Sequence, residues 1–266
     1  MNSSQLALQK LNVLVTRPEG QQQELRDAIA VLGGQSVGFP LLCIEPVQDQ
    51  AKLDQLRRQV LNLDQYQLLV FISTNAARYG AELIDSCWPQ FPVGVDVLAV
   101  GPTTAEAVQE SLHCEVISSS NGMASEDLLA LPELTDVDGK KIALFRGVGG
   151  RELLANTLRD RGAMIDYFEV YHRDPVEHAE GSLVNEIEAG GVNVITAFSG
   201  DTLRRLLALL PEAGRDKILA MPLLVPSQRV ADFATAQGFT CVYNAEGANV
   251  DASIRTLQEI AAGADN

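Results

Sequence analysis

The chain contains short, almost uninterrupted apolar segments of strand length, and each is followed by a stretch with the apolar spacing of a helix. Apolar strands that alternate with helices are typical of parallel sheets covered on both faces. The pattern therefore predicts an α/β fold with parallel sheets. The predicted strands are 13–15, 67–72, 95–100, 142–145, 192–198 and 223–225.

Two of the helical stretches show how these segments are bounded. The first begins with Pro18 in its first turn and ends at Gly33, which are favoured residues for the start and the end of a helix. The second follows residue 150, and we expect Leu153, Leu154 and Leu158 to share its buried face.

The sequence also resembles itself at long range. Three segments of the first half match three segments of the second half in the same order, and they pair Arg17 with Arg146, Ser73 with Ser199 and Thr103 with Ser227. The third match alone is no better than chance similarity between α/β segments. The common order favours a duplicated unit of about five strands, in the manner of a flavodoxin-like sheet.

Two segments, 39–47 and 167–175, do not fit the alternation of strand and helix. Both are extended in character, and each contains a proline near its end, Pro46 or Pro175, which disfavours helix just before it. They occupy the same place in the two repeats. We therefore interpret them as connectors that pair as a two-stranded ribbon.

The charge balance narrows the range of partners. The chain carries 35 acidic and 20 basic residues, a net charge of −15, which disfavours binding to nucleic acid or to an anionic membrane. A local anion site remains possible, because exposed charges are screened over about 8 Å at physiological salt.

Targeting signals and cysteine usage indicate the compartment. No apolar run approaches the roughly 20 residues of a membrane-spanning helix, and the first residues do not have the pattern of an export signal. The four cysteines lie far apart without a CxxC pair, so we expect free thiols rather than a metal site or disulfides. These features favour a cytoplasmic protein.

Several motifs together give the chain a resemblance to a known family. "VLVTRP", "FISTNA", "VGPTTAEA" and "FEVYHR" occur in an order and spacing that resemble the uroporphyrinogen-III synthase family over residues 12–260. The resemblance implies two flavodoxin-like parallel-sheet domains, joined by a two-stranded β connector, with a cleft between them. The implied first domain is discontinuous, comprising 1–38 and 176–266; the second is 48–166, and the connector is 39–47 and 167–175.

The resemblance also implies a reaction. The family closes the linear tetrapyrrole hydroxymethylbilane into a ring, with loss of water and inversion of the last pyrrole, and it uses no cofactor. We expect a monomer without nucleic-acid or membrane partners. One alternative is a non-enzymatic, two-lobed binding protein for a small anion. Another is a two-domain glycosyltransferase, although the sequence shows no nucleotide-sugar site.

The implied substrate carries acetate and propionate carboxylates, and the turns at strand ends are suited to bind them. In such sheets ligands bind at the carboxyl ends of the strands, where helices begin with unpaired N–H groups. The turn from Gly101 to Thr104 is of this kind, and one carboxylate gains about 0.3–1 kcal/mol there, up to about 2 if partly buried. Alternatively, Thr103 and Thr104 serve as N-caps, and one hydroxyl can do both.

Other polar residues also follow predicted strands. Ser73, Asn75 and Ser199 are candidate substrate-binding residues, with helix capping as the alternative. Ser227 is a further candidate, but it lacks the glycine–threonine turn that is usual in the family. We expect that corner to bind through backbone N–H groups only.

Two arginines are candidate carboxylate ligands, because a guanidinium offers paired donors in a fixed geometry. Arg146 precedes a glycine-rich turn, and the alternative for it is a salt bridge to Glu152. Arg17 is its repeat partner, but Pro18 follows directly, so Arg17 can instead fix the turn.

Tyr171 matches the tyrosine of the family's "VY" connector motif, which is proposed there to help the substrate hydroxyl depart. A phenol is a weak proton donor at neutral pH but a good hydrogen-bond donor. The alternative is a tyrosine packed in the ribbon, which suits strand geometry. The sequence offers no metal-binding or Ser-His-Asp constellation.

Overall fold

A computed structural model describes residues 7–119, 125–150 and 152–263. The strands are β1 (Asn12–Val15), β2 (Gln35–Gly38), β3 (Leu42–Pro46), β4 (Leu68–Phe71), β5 (Asp96–Ala99), β6 (Ile117–Ser118), β7 (Lys141–Gly147), β8 (Met164–Pro175), β9 (Val194–Thr196), β10 (Leu223–Val225) and β11 (Val242–Asn244). The helices are α1 (Gln23–Val31), α2 (Gln50–Val60), α3 (Thr74–Asp85), α4 (Pro102–Leu112), α5 (Ser125–Leu129), α6 (Leu153–Asp160), α7 (Ser182–Ala189), α8 (Gly200–Ala208), α9 (Arg215–Leu219), α10 (Gln228–Ala236) and α11 (Val250–Gly263).

The chain forms two compact units. Unit 1 comprises Met1–Cys43 and Asp174–Asn266, and unit 2 comprises Ile44–Arg173. Unit 1 holds a five-stranded sheet in the order β11-β10-β9-β1-β2, and its neighbouring strands pair in parallel. This is the doubly wound order of flavodoxin-like sheets.

Unit 2 repeats this strand order in permuted form. Its sheet has the order β3-β8-β7-β4-β5-β6, and the strands from β8 to β6 are all parallel. β7 and β8 occupy the places that β1 and β2 occupy in unit 1, and β4, β5 and β6 correspond to β9, β10 and β11. The predicted duplication is therefore confirmed, with all three predicted pairs of strand ends in equivalent positions.

The two predicted connector strands are β3 and β8, which lie side by side. Val47 N–H donates to the Val170 carbonyl at 3.2 Å, and Val176 N–H donates to the Leu41 carbonyl at 3.1 Å, so the two strands run antiparallel. The chain passes between the units within these strands. β8 also pairs with β7 over most of its length, so the ribbon continues the sheet of unit 2.

All six strands predicted from apolar runs are present, with ends that differ by a few residues. Three further strands, β2, β6 and β11, were not predicted. Their residues are mostly half-buried rather than buried, because these strands lie at or near the edges of the sheets, and their sequences lack a continuous apolar run.

The predicted apolar face of α6 is wrong at one position. Leu154 and Leu158 are buried, whereas Leu153 is 47% exposed. Residues four apart share a helix face, but consecutive residues are turned by about 100°, so Leu153 lies away from the other two leucines.

Three aromatic rings form the centre of the unit 2 core. The rings of Phe71 and Phe145 stack at 4.5 Å, and Phe168 lies 4.6 Å from Phe145. Gly80 of α3 packs directly on this stack, and a Cβ there would lie 2.7 Å from the Phe145 ring and 2.9 Å from the Phe71 ring. The helix approaches the sheet closely because Gly80 has no side chain.

We expect Gly80→Ala to lower the free energy of unfolding by about 1–2 kcal/mol. Overpacking of a core costs about 1–3 kcal/mol, and the better helix propensity of alanine returns up to about 1 kcal/mol. Denaturant unfolding monitored by circular dichroism measures the change. Gly263→Ala is the matched control, because a Cβ at that helical position meets nothing within 4 Å and should not destabilise the protein. Equal stability of the two variants would contradict this packing argument.

The four cysteines, Cys43, Cys87, Cys114 and Cys241, are half-buried free thiols. Throughout the described ranges, no helix combines the length and the apolar character needed to cross a membrane.

Candidate active site

Four of the candidate positions lie along one edge of the unit 2 sheet. Because adjacent parallel strands end at the same edge, the strand register brings their ends together: Phe71 pairs with Phe145 and with Ala99, and Gly147 pairs with Tyr171. Arg146, Ser73 and Gly101 therefore lie at the carboxyl ends of the neighbouring strands β7, β4 and β5, and Tyr171 lies beside the end of β7, within the longer strand β8. This is the edge at which doubly wound sheets bind ligands.

Tyr171 and Ser73 are in direct contact. The Tyr171 Oη lies 3.1 Å from Ser73 Oγ, and the Tyr171 side chain is fully buried. Its ring packs on Gly147, where a Cβ would lie 2.7 Å from ring atoms Cε2 and Cζ. The tyrosine is therefore packed in its strand, which was the alternative to a role in the reaction. It is also hydrogen-bonded to another candidate residue, Ser73.

A third member of this cluster, Arg173, was not predicted from the sequence. Arg173 donates a hydrogen bond from Nη2 to Tyr171 Oη at 2.6 Å, and its guanidinium lies 5.2 Å from the centre of the tyrosine ring. Residues two apart on a strand point to the same side. The alternation in "FEVYHR" was thus a signal that Arg173 accompanies Tyr171.

The two serines that follow β4 and β9 cap the helices that begin there. Ser73 Oγ accepts from Ala76 N–H at 3.1 Å at the start of α3, and Ser199 Oγ accepts from Thr202 N–H at 3.0 Å at the start of α8. Capping, the alternative for both, is therefore present in equivalent places of the two units. Asn75 lies in the first turn of α3.

The helix that follows β5 begins differently. Gly101 is the N-cap of α4, with φ 76° and ψ 162°, a conformation that is essentially restricted to glycine. Pro102 is the first helical residue, so Thr103 and Thr104 lie within the first turn, and the alternative that they are N-caps is wrong. Thr103 is exposed, and Thr104 is buried.

The first amides of α4 are open. Within the described residues, no side chain caps the helix, and the N–H groups of Thr103 and Thr104 have no hydrogen-bond partner. The helix that follows β10 in unit 1 is similar. Ser227 holds the N-cap position of α10, but its side chain makes no capping hydrogen bond in the described part of the chain. Within the described residues, each unit therefore has a helix start capped by a serine, that of α8 or α3, and a helix start without a side-chain cap, that of α10 or α4.

Arg146 is an internal residue in this structure. Its side chain is 1% exposed, Nη1 donates to Glu152 Oε1 at 2.9 Å, and Nη2 donates to the Gly150 carbonyl. The Tyr167 ring lies 4.5 Å from its guanidinium carbon. The salt bridge to Glu152, the alternative to a substrate contact, is therefore present, and Arg146 shapes the turn from residue 147 to 150.

The hydrogen bond from Tyr167, together with that from Arg146, holds the pKa of the Glu152 carboxyl below its usual range. The ionised form of Glu152 makes these contacts, so it stabilises the turn at a pH above its pKa. This stabilisation is lost as the pH falls through that pKa.

Arg17, the repeat partner of Arg146, is anchored inside unit 1. Its guanidinium carbon lies 4.0 Å from the centre of the Phe198 ring, and Nη2 donates to the Ala248 carbonyl at 2.5 Å. Gln22 Nε2 donates to the Arg17 carbonyl at 2.7 Å. Burial lowers the pKa of the guanidinium. The negative charge of Glu24 acts in the opposite direction but is the smaller effect. These contacts agree with the alternative that Arg17 fixes the turn.

The two units together define a class of protein: a two-domain, doubly wound α/β protein with helix starts suited to bind an anionic small molecule. Among the described residues, no group of three or more histidine, cysteine, aspartate or glutamate side chains is placed to hold a metal ion. The chemical groups at the edges are instead backbone amides, hydroxyls and guanidinium groups, among them the exposed side chain of Arg173.

Comparison of the sequence with known proteins identifies the family to which this chain belongs. Residues 23–255 match the family described as uroporphyrinogen-III synthase HemD. The uroporphyrinogen-III synthase of Escherichia coli (strain K12) is 33% identical over 252 residues, which cover 93% of this chain and 100% of that protein. The enzyme of the same name from Salmonella typhimurium is 32% identical over 249 residues, with 93% and 100% coverage. The chain belongs to the uroporphyrinogen-III synthase family.

Solved structures agree in fold. A mutant uroporphyrinogen III synthase from the extremely thermophilic bacterium Thermus thermophilus superimposes with a TM-score of 0.65 at 19% identity, and the match covers 95% of this chain and 99% of that one. The uroporphyrinogen-III synthetase of Helicobacter pylori 26695 gives a TM-score of 0.55 at 14% identity, with 94% and 99% coverage. At these identities the likeness establishes the fold.

Proposed function

We propose that the protein converts hydroxymethylbilane into uroporphyrinogen III, closing the tetrapyrrole ring with loss of water and inversion of the last pyrrole. The observation that carries this proposal is the family match over residues 23–255. Membership makes the chain an enzyme of tetrapyrrole biosynthesis with a cyclising, lyase-type activity. The relatives do not favour the alternative of a non-enzymatic binding protein.

The open helix starts are the proposed carboxylate sites. A carboxylate at the N-terminus of α4 would accept from Thr103 N–H and Thr104 N–H, which have no other partner among the described residues. Such a contact is worth about 0.3–1 kcal/mol when exposed and up to about 2 when partly buried. The start of α10 in unit 1 offers the N–H groups of Gln228 and Arg229, whereas Val230 N–H already donates to the Ser227 carbonyl. Binding through backbone amides also suits a protein with a net charge of −15.

The Ser73–Tyr171 pair is the proposed contact for the departing hydroxyl. Tyr171 is fully buried and Ser73 is half-buried, so the serine hydroxyl is the group of the pair that lies closer to solvent. A hydrogen bond from this pair would favour departure of the hydroxyl. The hydroxyl takes the bonding electron pair with it, and a cation remains on the substrate. Tyr171 then acts on the reaction through Ser73.

The main task of the protein is geometric. The substrate tends to lose its hydroxyl and to close without help, which gives the product with an unflipped ring. The enzyme must hold the chain so that the substituted carbon of the last pyrrole, rather than its free carbon, meets the cation. Positioning of this kind can lower the barrier of the favoured reaction by several kcal/mol. For well-oriented reactions the contribution begins at about 7 kcal/mol. It requires no dedicated acid–base pair.

The direct test is an assay with freshly prepared hydroxymethylbilane, followed by separation of the product isomers. We expect the type III isomer to form faster than the spontaneous reaction. Formation of only the type I isomer, at the rate seen without protein, would refute the proposed activity.

We expect Tyr171→Phe to lower kcat by about fivefold, because it removes the hydrogen bond to Ser73, which is worth about 1 kcal/mol. Tyr66→Phe is the matched control, since Tyr66 is also buried and donates to Asp166 Oδ2 at 2.8 Å, but it precedes β4 at the opposite edge of the sheet. The kcat of both variants is measured with their stability. An unchanged kcat in a folded Tyr171→Phe variant would remove Tyr171 from the proposed site.

We also propose that the enzyme works in the cytoplasm, as a monomer, without nucleic acid. The excess of acidic residues opposes contact with polyanions, and four free thiols suit a reducing compartment. Light scattering over a range of protein concentrations tests the oligomeric state.

A further inference from the structure

Arg173 is the arginine that donates a hydrogen bond to Tyr171 at the ligand-binding edge of the unit 2 sheet. Its side chain is exposed, and among the described residues no carboxylate lies within ion-pair distance of it. The arginines that do pair with acidic residues are Arg57, Arg78, Arg146, Arg159, Arg204 and Arg205. In a protein with 35 acidic residues, an arginine without an acidic partner at the ligand-binding edge of the sheet is a candidate for binding an external anion.

Arg173 is held in place although none of the acidic side chains in the described part of the chain forms an ion pair with it. The 2.6 Å hydrogen bond to Tyr171 Oη uses one nitrogen, Nη2, and the guanidinium lies beside the tyrosine ring. An arginine has five N–H donors and no acceptor, so most of its donors stay available to a ligand. The tyrosine thus orients a guanidinium whose other donors lie toward solvent.

The same contact sets the direction of the hydrogen bonds in the cluster. Because Arg173 can only donate, the Tyr171 oxygen accepts from it, and the phenol hydrogen is best used by Ser73 Oγ at 3.1 Å. Ser73 Oγ also accepts from Ala76 N–H, which leaves the serine hydrogen as the outward donor of the chain.

We infer that Arg173 binds a carboxylate of the linear tetrapyrrole and, by donating to Tyr171, positions the Ser73–Tyr171 pair beside that carboxylate. This inference rests on the proposed function. The ligand group is an acetate or propionate arm, which a guanidinium binds through paired, charge-assisted hydrogen bonds. Arg173 is a binding and positioning residue, and the reacting atoms are contacted by Ser73.

The test compares Arg173→Gln with the wild type in steady-state assays with hydroxymethylbilane. Glutamine keeps an N–H donor for Tyr171 but removes the charge. We expect KM to rise about tenfold, the loss of one hydrogen bond to a charged group, while kcat changes less than about threefold. Arg173→Lys keeps the charge, so its KM should lie between that of the wild type and that of Arg173→Gln. The KM of Arg173→Gln should also respond less to added salt than that of the wild type, because one ionic contact is gone.

Arg57→Gln is the matched control. Arg57 is an exposed arginine in the last turn of α2, on the side of unit 2 from which β4 begins, and its loss removes the same charge from the protein. An equal rise of KM in both variants would show a general charge effect and overturn the inference. An unchanged KM in Arg173→Gln would overturn it as well.

The outcomes separate this inference from the proposed function. If the wild-type protein forms no type III isomer beyond the spontaneous reaction, the proposed function fails, whatever the variants do. If the wild type is active and Arg173→Gln has wild-type KM and salt dependence, the inference about Arg173 fails alone. If the kcat of Arg173→Gln falls to that of Tyr171→Phe while KM is unchanged, Arg173 acts only through its contact to Tyr171. That result would also refute a carboxylate site at Arg173.

Discussion

Thr103→Asp is expected to raise the KM for hydroxymethylbilane about a hundredfold without destabilising the fold. Thr103 is exposed in the first turn of α4, beside the open amides proposed to bind a carboxylate. Two negative charges about 5 Å apart repel by roughly 3 kcal/mol near a protein surface, which corresponds to about a hundredfold in binding. The new carboxylate can also accept from the helix N–H groups and so compete with the substrate.

The same change should stabilise the helix. An acidic residue in the first turn interacts favourably with the helix dipole, by about 0.3–1 kcal/mol. Opposite effects on binding and on stability make this variant informative, since a damaged fold would lower both. Thr103→Asn is the control, because it has the same shape without the charge, and it should raise KM much less.

The measurements are KM from initial rates and the midpoint of thermal unfolding. A Thr103→Asp variant with wild-type KM would show that no substrate carboxylate binds at the start of α4. Equal KM values for the Asp and Asn variants would show that the turn acts through shape rather than through charge.

Much of the fold follows from local patterns in the sequence. Continuous apolar runs identified the buried central strands, because a strand covered on both faces has no polar positions. The repeat of Arg17, Ser73 and Thr103 against Arg146, Ser199 and Ser227 identified the duplication. The edge strands escaped prediction because half-buried positions carry no distinctive pattern. The pairing of β3 with β8 was predicted from the equivalent places of the two extended segments in the repeats, whereas the pairing of β8 with β7, which joins this ribbon to the unit 2 sheet, was not.

The location of the candidate site was predictable from the sequence, but its contacts were less so. Strand ends could be assigned from the apolar runs, so Ser73 and Gly101 were expected at a ligand-binding edge, whereas Tyr171 was a candidate only through its match to the family's connector motif. The role of Gly101 as N-cap could have been inferred from the proline that follows it, since proline favours the first helical position. Arg146 could not be assigned in the same way. Its burial results from the fold of the 147–150 turn and from Tyr167, which reaches it from the neighbouring strand.

The contact between Tyr171 and Ser73 joins residues 98 apart in the chain, so only the tertiary structure reveals it. The same holds for the close approach of Gly147 to the tyrosine ring. Gly147 lies in β7 directly opposite Tyr171 in β8, and its lack of a side chain provides the space that the ring occupies. A glycine that appeared only as part of a flexible turn in the sequence is therefore a determinant of the proposed site.

Gly147→Ala is expected to lower kcat at least as far as Tyr171→Phe and to destabilise unit 2. The added methyl would lie 2.7 Å from two ring carbons and 3.1 Å from Oη of Tyr171, closer than atoms can pack. The fully buried ring must tilt away from the added methyl, and its hydrogen bonds to Ser73 and Arg173 are strained or lost. Overpacking of this kind costs about 1–3 kcal/mol.

A double variant distinguishes an effect through Tyr171 from a general loss of structure. If Gly147→Ala acts by displacing the Tyr171 hydroxyl, adding it to Tyr171→Phe should lower kcat little further, because that hydroxyl is already absent, and the two changes are then strongly non-additive. If it acts instead by distorting the 147–150 turn around Arg146, the losses in kcat multiply. Initial rates under conditions where all variants are folded, as judged by circular dichroism, give the comparison. Multiplicative losses would refute the role of Gly147 as the seat of the Tyr171 ring.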